Sequence, residues 1–169
     1  MKKNNIYLIG MMGSGKSTVA PILSKKMNID YMDMDNELEK LMDMSLPMIF
    51  SDYGEERFRM IESAFFREIS KVGQFIYATG GGIILADLNK SIIKETGIAV
   101  FLDCSIDMLI ERIKNDKKER PLIADNMKKK MTAIYNERYE LYKECSNHTI
   151  DTTKMNTDKV IQEIMQCIN

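Results

Sequence analysis

Residues Gly10-Met11-Met12-Gly13-Ser14-Gly15-Lys16-Ser17 make a complete G-x-x-x-x-G-K-[ST] phosphate-binding loop, ten residues into the chain. The apolar run Ile6-Tyr7-Leu8-Ile9 precedes it and reads as a buried parallel strand. From Lys16 to Met27 the chain reads as a helix. Strand, glycine-rich turn and helix N-terminus together form an anion site: backbone N–H groups converge on the phosphates and the helix end adds partial positive charge. Lys16 can reach the outer phosphates, and the Ser17 hydroxyl can ligate Mg²⁺. With glycine at about 7% of average composition, a chance match in a chain this short is roughly a one-percent event. The loop decides for an α/β nucleotide-binding fold.

Outward from the loop, apolar runs alternate with helical patterns. Strands are expected at Ile6–Ile9, Ile29–Met32, Phe75–Ala78, Ala99–Leu102 and Thr149–Ile150. Helices are expected at Lys16–Met27, Asn36–Met42, after Pro47, and at Glu55–Ser70, Asp87–Glu95, Ile106–Ile113, Met127–Cys145 and Thr157–Cys167. This order predicts a parallel sheet covered on both faces. Pro21, inside the first helix, is expected to kink or loosen it beyond the phosphate site. Residues 36–70 insert between the second and third strands as a helical region. Residues 114–126, charged and containing Arg120-Pro121, read either as a solvated loop or as a mobile lid.

With 169 residues, a single domain spanning 1–169 is expected. A net charge of −1 argues against nucleic acid or an anionic membrane as the main partner. The longest apolar run is far short of a membrane span, and the basic start Met1-Lys2-Lys3-Asn4-Asn5 leads into too short a run for a signal peptide. Cys104, Cys145 and Cys167 suggest neither a disulfide framework nor a metal cluster, which fits a reducing, cytoplasmic location.

Ligands of open parallel sheets bind beyond the C-terminal strand ends. Here those ends carry the phosphate loop, Asp33-Met34-Asp35, Thr79-Gly80-Gly81-Gly82 and Asp103. If the second strand continues, Asp33 and Asp35 point to opposite sides, one toward Mg²⁺ and one toward a substrate. Three glycines allow either a tight turn or close approach of backbone to a ligand. Ala99-Val100-Phe101-Leu102-Asp103 has the simple apolar-strand-plus-acid pattern that competes with Asp33 for the metal; we read Asp103 as a decoy. Arg57, Arg59, Arg120 and Arg138 are candidates for carboxylate or phosphate contacts, which composition alone does not separate.

In order and spacing, Gly10–Ser17, Asp33-Met34-Asp35, Gly54-Glu55-Glu56-Arg57-Phe58-Arg59, Ala78-Thr79-Gly80-Gly81-Gly82, Arg120-Pro121-Leu122 and Glu137-Arg138-Tyr139-Glu140-Leu141-Tyr142 resemble the shikimate kinases. These are small P-loop kinases related in fold to nucleoside monophosphate kinases. The resemblance runs from about residue 5 to 165. It implies phosphoryl transfer from Mg·ATP to the 3-hydroxyl of shikimate, on the chorismate route to aromatic amino acids. It also implies a three-layer αβα fold on a five-stranded parallel sheet in the order 2-3-1-4-5, working as a monomer. Gly13, Ser14, Gly15, Lys16, Ser17 and Thr18 then resemble the ATP phosphate site. Ser17 resembles the direct Mg²⁺ ligand, and Asp33 the acid holding Mg²⁺ through water. Asp35 resembles the acid that contacts shikimate hydroxyls and takes the attacking proton. Arg59 and Arg138 match the pair that grips the substrate carboxylate, and Gly81 a backbone contact to the ring hydroxyls. Arg120 is similar to the lid arginine that closes over the phosphates, and Arg112 to a residue lying against adenine. The chain departs from the pattern at Pro21, at the extra lid residue Glu119, and at the adenine loop near Asp151–Asn156.

Overall fold

The computed structural model describes residues 5–115 and 126–168. Five strands, β1 (Asn5–Ile9), β2 (Asp30–Asp33), β3 (Phe75–Ala78), β4 (Gly97–Asp103) and β5 (His148–Asp151), form one parallel sheet in the order β2-β3-β1-β4-β5. The central strand β1 registers Tyr7 against Tyr77 of β3 and Ala99 of β4. The phosphate loop therefore leaves the middle of the sheet, flanked by the strand ends that carry Thr79 and Asp103.

Among the described residues seven α-helices accompany the strands: α1 (Lys16–Met27), α2 (Met34–Met42), α3 (Leu46–Ile69), α4 (Asp87–Thr96), α5 (Ile106–Asn115), α6 (Met127–Cys145) and α7 (Thr157–Ile168). Side chains of a strand alternate between faces, and β1 divides its residues accordingly. Tyr7 and Ile9 join a core with Phe66, Ile93, Phe101 and Tyr142. Ile6 and Leu8 join the opposite core with Val19, Leu23, Ile161 and Ile164. Both faces are covered, as near-continuous apolar strands demand. Each fully buried aliphatic or aromatic side chain adds about 1.5–3 kcal/mol to folding.

The helical region between β2 and β3 has a small core of its own. Leu38 of α2 packs with Ile49 and Phe58 of α3, all three at most 2% exposed. Helix α3 joins the two separate helices expected from the sequence, and Gly54 (φ 76, ψ 166) marks the break between them. That φ,ψ pair lies in a region open essentially to glycine alone. Pro47 occupies the first turn, where its missing N–H costs no helical bond.

Helix α1 runs from Lys16 to Met27 with Pro21 inside it. One expectation needs correction. Strand β2 ends at Asp33, and Met34 already begins α2. Asp35 thus sits in the first turn of a helix, and strand alternation does not separate it from Asp33. The short 3₁₀ turn Ile83–Leu85 after the triple glycine was not legible as an element.

Candidate active site

At the head of α1, Gly15 is the N-cap with φ 98, and its carbonyl accepts from Val19 N at 2.9 Å. This fixes the start of the helix with its first amides turned toward the loop. Lys16 is buried, and its Nζ donates to the carbonyls of Gly10 and Met11, both at 2.8 Å. Its ammonium is thus held against the loop backbone. Gly13 packs on α5: a Cβ there would lie 2.9 Å from Ile113.

A recess of about 320 Å³ opens on the outer side of the loop, lined by Ser14, Gly15, Thr18, Arg112, Thr152 and Asn156 among others. Arg112 reaches it from the last turn of α5. Its Nη2 donates to the Thr152 carbonyl at 2.9 Å and its Nη1 to the Thr152 hydroxyl at 3.3 Å. The segment near Asp151–Asn156, to which the sequence assigns no residue, meets Arg112 here.

On the inner side lies a cavity of about 340 Å³ that brings together Ser17, Asp33, Asp35, Arg59, Gly81 and Arg138. Six residues singled out in the sequence, from six separate elements or turns, share this one space. Asp33 caps α2, accepting from Asn36 N at 3.2 Å. Asp35 follows one helical residue later and packs against the triple glycine: a Cβ on Gly80 would lie 2.9 Å from its Oδ1.

Glu62, which sequence reasoning missed, approaches the same glycine from α3, 2.6 Å from that Cβ position. It is 1% exposed, and its Oε2 accepts from Arg59 Nη1 at 2.8 Å. Burial pushes the Glu62 carboxyl above its ordinary value; Arg59 offsets this and the nearby Asp35 adds to it. For Arg59, burial acts downward, but Glu62 and then Glu55 outweigh it and hold the guanidinium charged. One signal was present in the sequence: Arg59 and Glu62 stand three apart, which brings them together on one helix face.

The Arg59 guanidinium lies over Gly82, where a Cβ would sit 2.2 Å from its Cζ, so glycine is the residue that fits there. Phe58 and Phe50 flank it at 5.1 and 6.0 Å from the ring centres. Across the cavity, Arg138 of α6 is buried and donates from Nη1 to the Gly81 carbonyl at 3.3 Å. Tyr142, one turn further on, donates its hydroxyl to the same carbonyl. The buried Nε of Arg59 and of Arg138 lack a hydrogen-bond partner among the described residues. An unsatisfied buried donor costs about 1–3 kcal/mol, and the two arginines that carry them both line this cavity, which suits it to an anion.

Asp103 stands elsewhere: its Oδ1 accepts from Tyr135 Oη at 2.9 Å and from Cys104 N at 2.8 Å. It does not line the inner cavity. Arg120, with Glu119 and Pro121, falls outside the described residues, as does most of the candidate lid segment 114–126.

The geometry pairs a phosphate loop with an anion-seeking, carboxylate-bearing cavity at one sheet edge. The family model described as shikimate kinase matches residues 12–169. The chain is 37% identical over 166 residues to the shikimate kinase of Clostridium botulinum, covering 98% of each. It is 34% identical over 163 residues to that of Enterococcus faecalis, covering 96% of each. Its fold superposes on a shikimate kinase from Acinetobacter baumannii in complex with shikimate with a TM-score of 0.93. That pair shares 34% identity, covering 98% of this chain and 92% of the other. The chain belongs to the shikimate kinase family.

Proposed function

We infer from family and site together that this chain is a phosphotransferase. It moves a phosphoryl group from ATP to the 3-hydroxyl of shikimate, giving shikimate 3-phosphate and ADP in aromatic amino acid biosynthesis. The observation that carries the acceptor is that Arg59 and Arg138 line one cavity, each with a buried Nε that lacks a hydrogen-bond partner among the described residues. A carboxylate between them satisfies both in charge-assisted hydrogen bonds. An acceptor without that group leaves them unpaired, which makes the pair a specificity device.

Gly13, Ser14, Gly15, Lys16, Ser17 and Thr18 hold the phosphates of ATP, and Arg112 lies against its base beside Thr152. Ser17 and Asp33 line one cavity and offer a hydroxyl and a carboxylate, a donor set that suits Mg²⁺ held largely through water and phosphate oxygens. Mg²⁺ bound there supplies charge neutralisation on the phosphate oxygens. Asp35, beside Gly80, takes the proton of the attacking hydroxyl, and Gly81 contacts the ring hydroxyls through its backbone. Lys16 and Arg120 stabilise the charge that develops on the phosphoryl oxygens.

Phosphoryl transfer asks the protein chiefly for positioning and electrostatics, and every group named belongs to one chain. This supports a monomer as the working unit. Three free cysteines and an ATP-dependent reaction support a cytoplasmic location. No helix among the described residues is long and apolar enough to cross a membrane. The reading is tested by phosphorus NMR of the product formed from ATP and shikimate. A single phosphomonoester coupled to the C3 proton is expected; ADP with inorganic phosphate alone, or phosphate at another hydroxyl, contradicts it.

A further inference from the structure

The acid at the end of β4 has no part in the reaction described, yet it is firmly engaged. One carboxylate oxygen of Asp103 accepts from the phenol of Tyr135 at 2.9 Å and from Cys104 N at 2.8 Å. The second contact ties the carboxylate to its own strand end; the first reaches across to α6. Arg138 and Tyr139 stand three and four residues after Tyr135, and Tyr142 stands four and three after those two, so they form one stripe of α6. The stripe is held at two places. Arg138 and Tyr142 fasten it to the Gly81 carbonyl after β3. Tyr135 fastens it to Asp103 at the end of β4, two strands away from β3 in the sheet order.

Between these points the contacts are aromatic. Tyr135 and Tyr139 have ring centres 5.3 Å apart, Tyr139 meets Phe101 edge-on at 6.0 Å, and Tyr142 stacks on Phe101 at 4.9 Å. Ring packing of this kind buries area but tolerates small rotations and slides. A hydrogen bond from a half-buried phenol to a carboxylate does not, because its strength falls steeply with distance and angle. Rotation of α6 about its axis would swing Arg138 out of the acceptor cavity while leaving much of the ring packing intact.

We propose that Asp103 is a positioning residue: through Tyr135 it fixes the rotation of α6 and so sets Arg138 in the acceptor cavity. The inference rests on the assignment of Arg138 to the substrate carboxylate. Asp103 also backs the other half of the site, since its carbonyl accepts from the Thr152 backbone N at 2.8 Å, and Thr152 in turn accepts from Arg112. It stands where the two substrate sides meet.

The test uses Tyr135→Phe, which keeps the ring and loses only the hydroxyl, with Asp103→Ala and Asp103→Asn, the last retaining an acceptor oxygen. In substrate-free protein, the nitrogen-15 signal of Arg138 Nε–H, assigned by its loss in Arg138→Lys, should shift or broaden in Tyr135→Phe and Asp103→Ala. Asp103→Asn should restore it. An unchanged Arg138 signal in Tyr135→Phe overturns the proposal whatever the acceptor is. In steady-state assays, Tyr135→Phe and Asp103→Ala should each raise the shikimate KM about three- to ten-fold, the range for losing one hydrogen bond, with kcat and the ATP KM within about two-fold. The double variant should be no worse than either single one. A lowered melting temperature with an unchanged shikimate KM, or additive effects in the double variant, reduces the bond to a stability contact and overturns the proposal. Wild-type protein inactive on shikimate would instead sink the acceptor assignment, with the Arg138 signal still reporting on the latch.

Discussion

Arg59 Nη1 donates to the Oε2 of Glu62 at 2.8 Å, and this pair, not Arg59 alone, defines one wall of the acceptor cavity. Glu62 is 1% exposed and cannot be rehydrated without opening α3. The guanidinium is thereby held over Gly82, and its buried Nε lacks a hydrogen-bond partner among the described residues. Glu62→Ala should raise the shikimate KM by about ten-fold or more, since a hydrogen bond to a charged group is worth about 1.5–3 kcal/mol. The ATP KM should stay within about two-fold. Steady-state kinetics with each substrate varied in turn checks it; an ATP KM that rises as much as the shikimate KM would mean a general loss of structure.

The opposite wall predicts a parallel result. Arg138→Ala removes a buried guanidinium beside Gly81 and should raise the shikimate KM about 10- to 100-fold, from the same range for charge-assisted bonds. Binding of ATP, measured by titration, should persist. An unchanged shikimate KM in this variant removes Arg138 from the substrate site.

Gly82→Ala places a methyl group 2.2 Å from the Arg59 Cζ position. Because the guanidinium is the far end of a flexible side chain, it can swing away, and the fold should survive. Shikimate-dependent turnover should drop about ten-fold or more, and the melting temperature should fall as well, because the swing leaves the buried Glu62 carboxylate without its guanidinium partner. Loss of stability with normal turnover would show that Arg59 does not depend on that glycine.

Two acids compete for the metal on sequence grounds, and their surroundings separate them. Asp33 shares a cavity with Ser17, whereas Asp103 is bonded to Tyr135 and Cys104 N. Asp33→Asn should raise the Mg²⁺ concentration needed for half-maximal turnover several-fold. Asp103→Asn should leave it unchanged. Magnesium titrations of turnover distinguish them, and the reverse order would make Asp103 the metal-site acid.

Burial pushes the Cys145 thiol up to about 11 from an ordinary 9. A pKa raised on folding stabilises the folded state fully below 9, and that contribution is lost as pH rises from 9 through 11. The stability difference between wild type and Cys145→Ala should therefore shrink over that interval. At pH 8, Cys145 and Cys104, each 2% exposed, should resist a thiol reagent that reaches Cys167 in the folded protein. Reagent counts and pH-dependent denaturation check both; rapid labelling of Cys145 in folded protein contradicts the burial.

The phosphate loop and α1 were legible to the residue because glycine, lysine and serine at fixed offsets leave little choice of backbone. Strand faces were legible as well: Tyr7 and Leu8 lie in opposite cores, as an apolar strand covered twice requires. The turn from β2 into α2 was not. Asp33 is both the last strand residue and the helix N-cap, and an Asp-x-Asp pattern fits either geometry. Glu62 escaped notice because Glu55 also stands within one turn of Arg59, and what sets Glu62 apart from it is burial, which depends on how α3 packs on the triple glycine. The role of Tyr135 was hidden for a similar reason: its partner Asp103 is 32 residues away and meets it only after the sheet has formed.

The most direct measurement is ADP release from ATP with shikimate, quinate, gluconate and CMP offered separately under identical conditions. Rapid turnover is expected with shikimate, which carries both the carboxylate for Arg59 and Arg138 and the ring hydroxyl for Asp35, and a background rate with CMP, which has no carboxylate. Turnover with CMP or gluconate and none with shikimate would contradict the acceptor assignment.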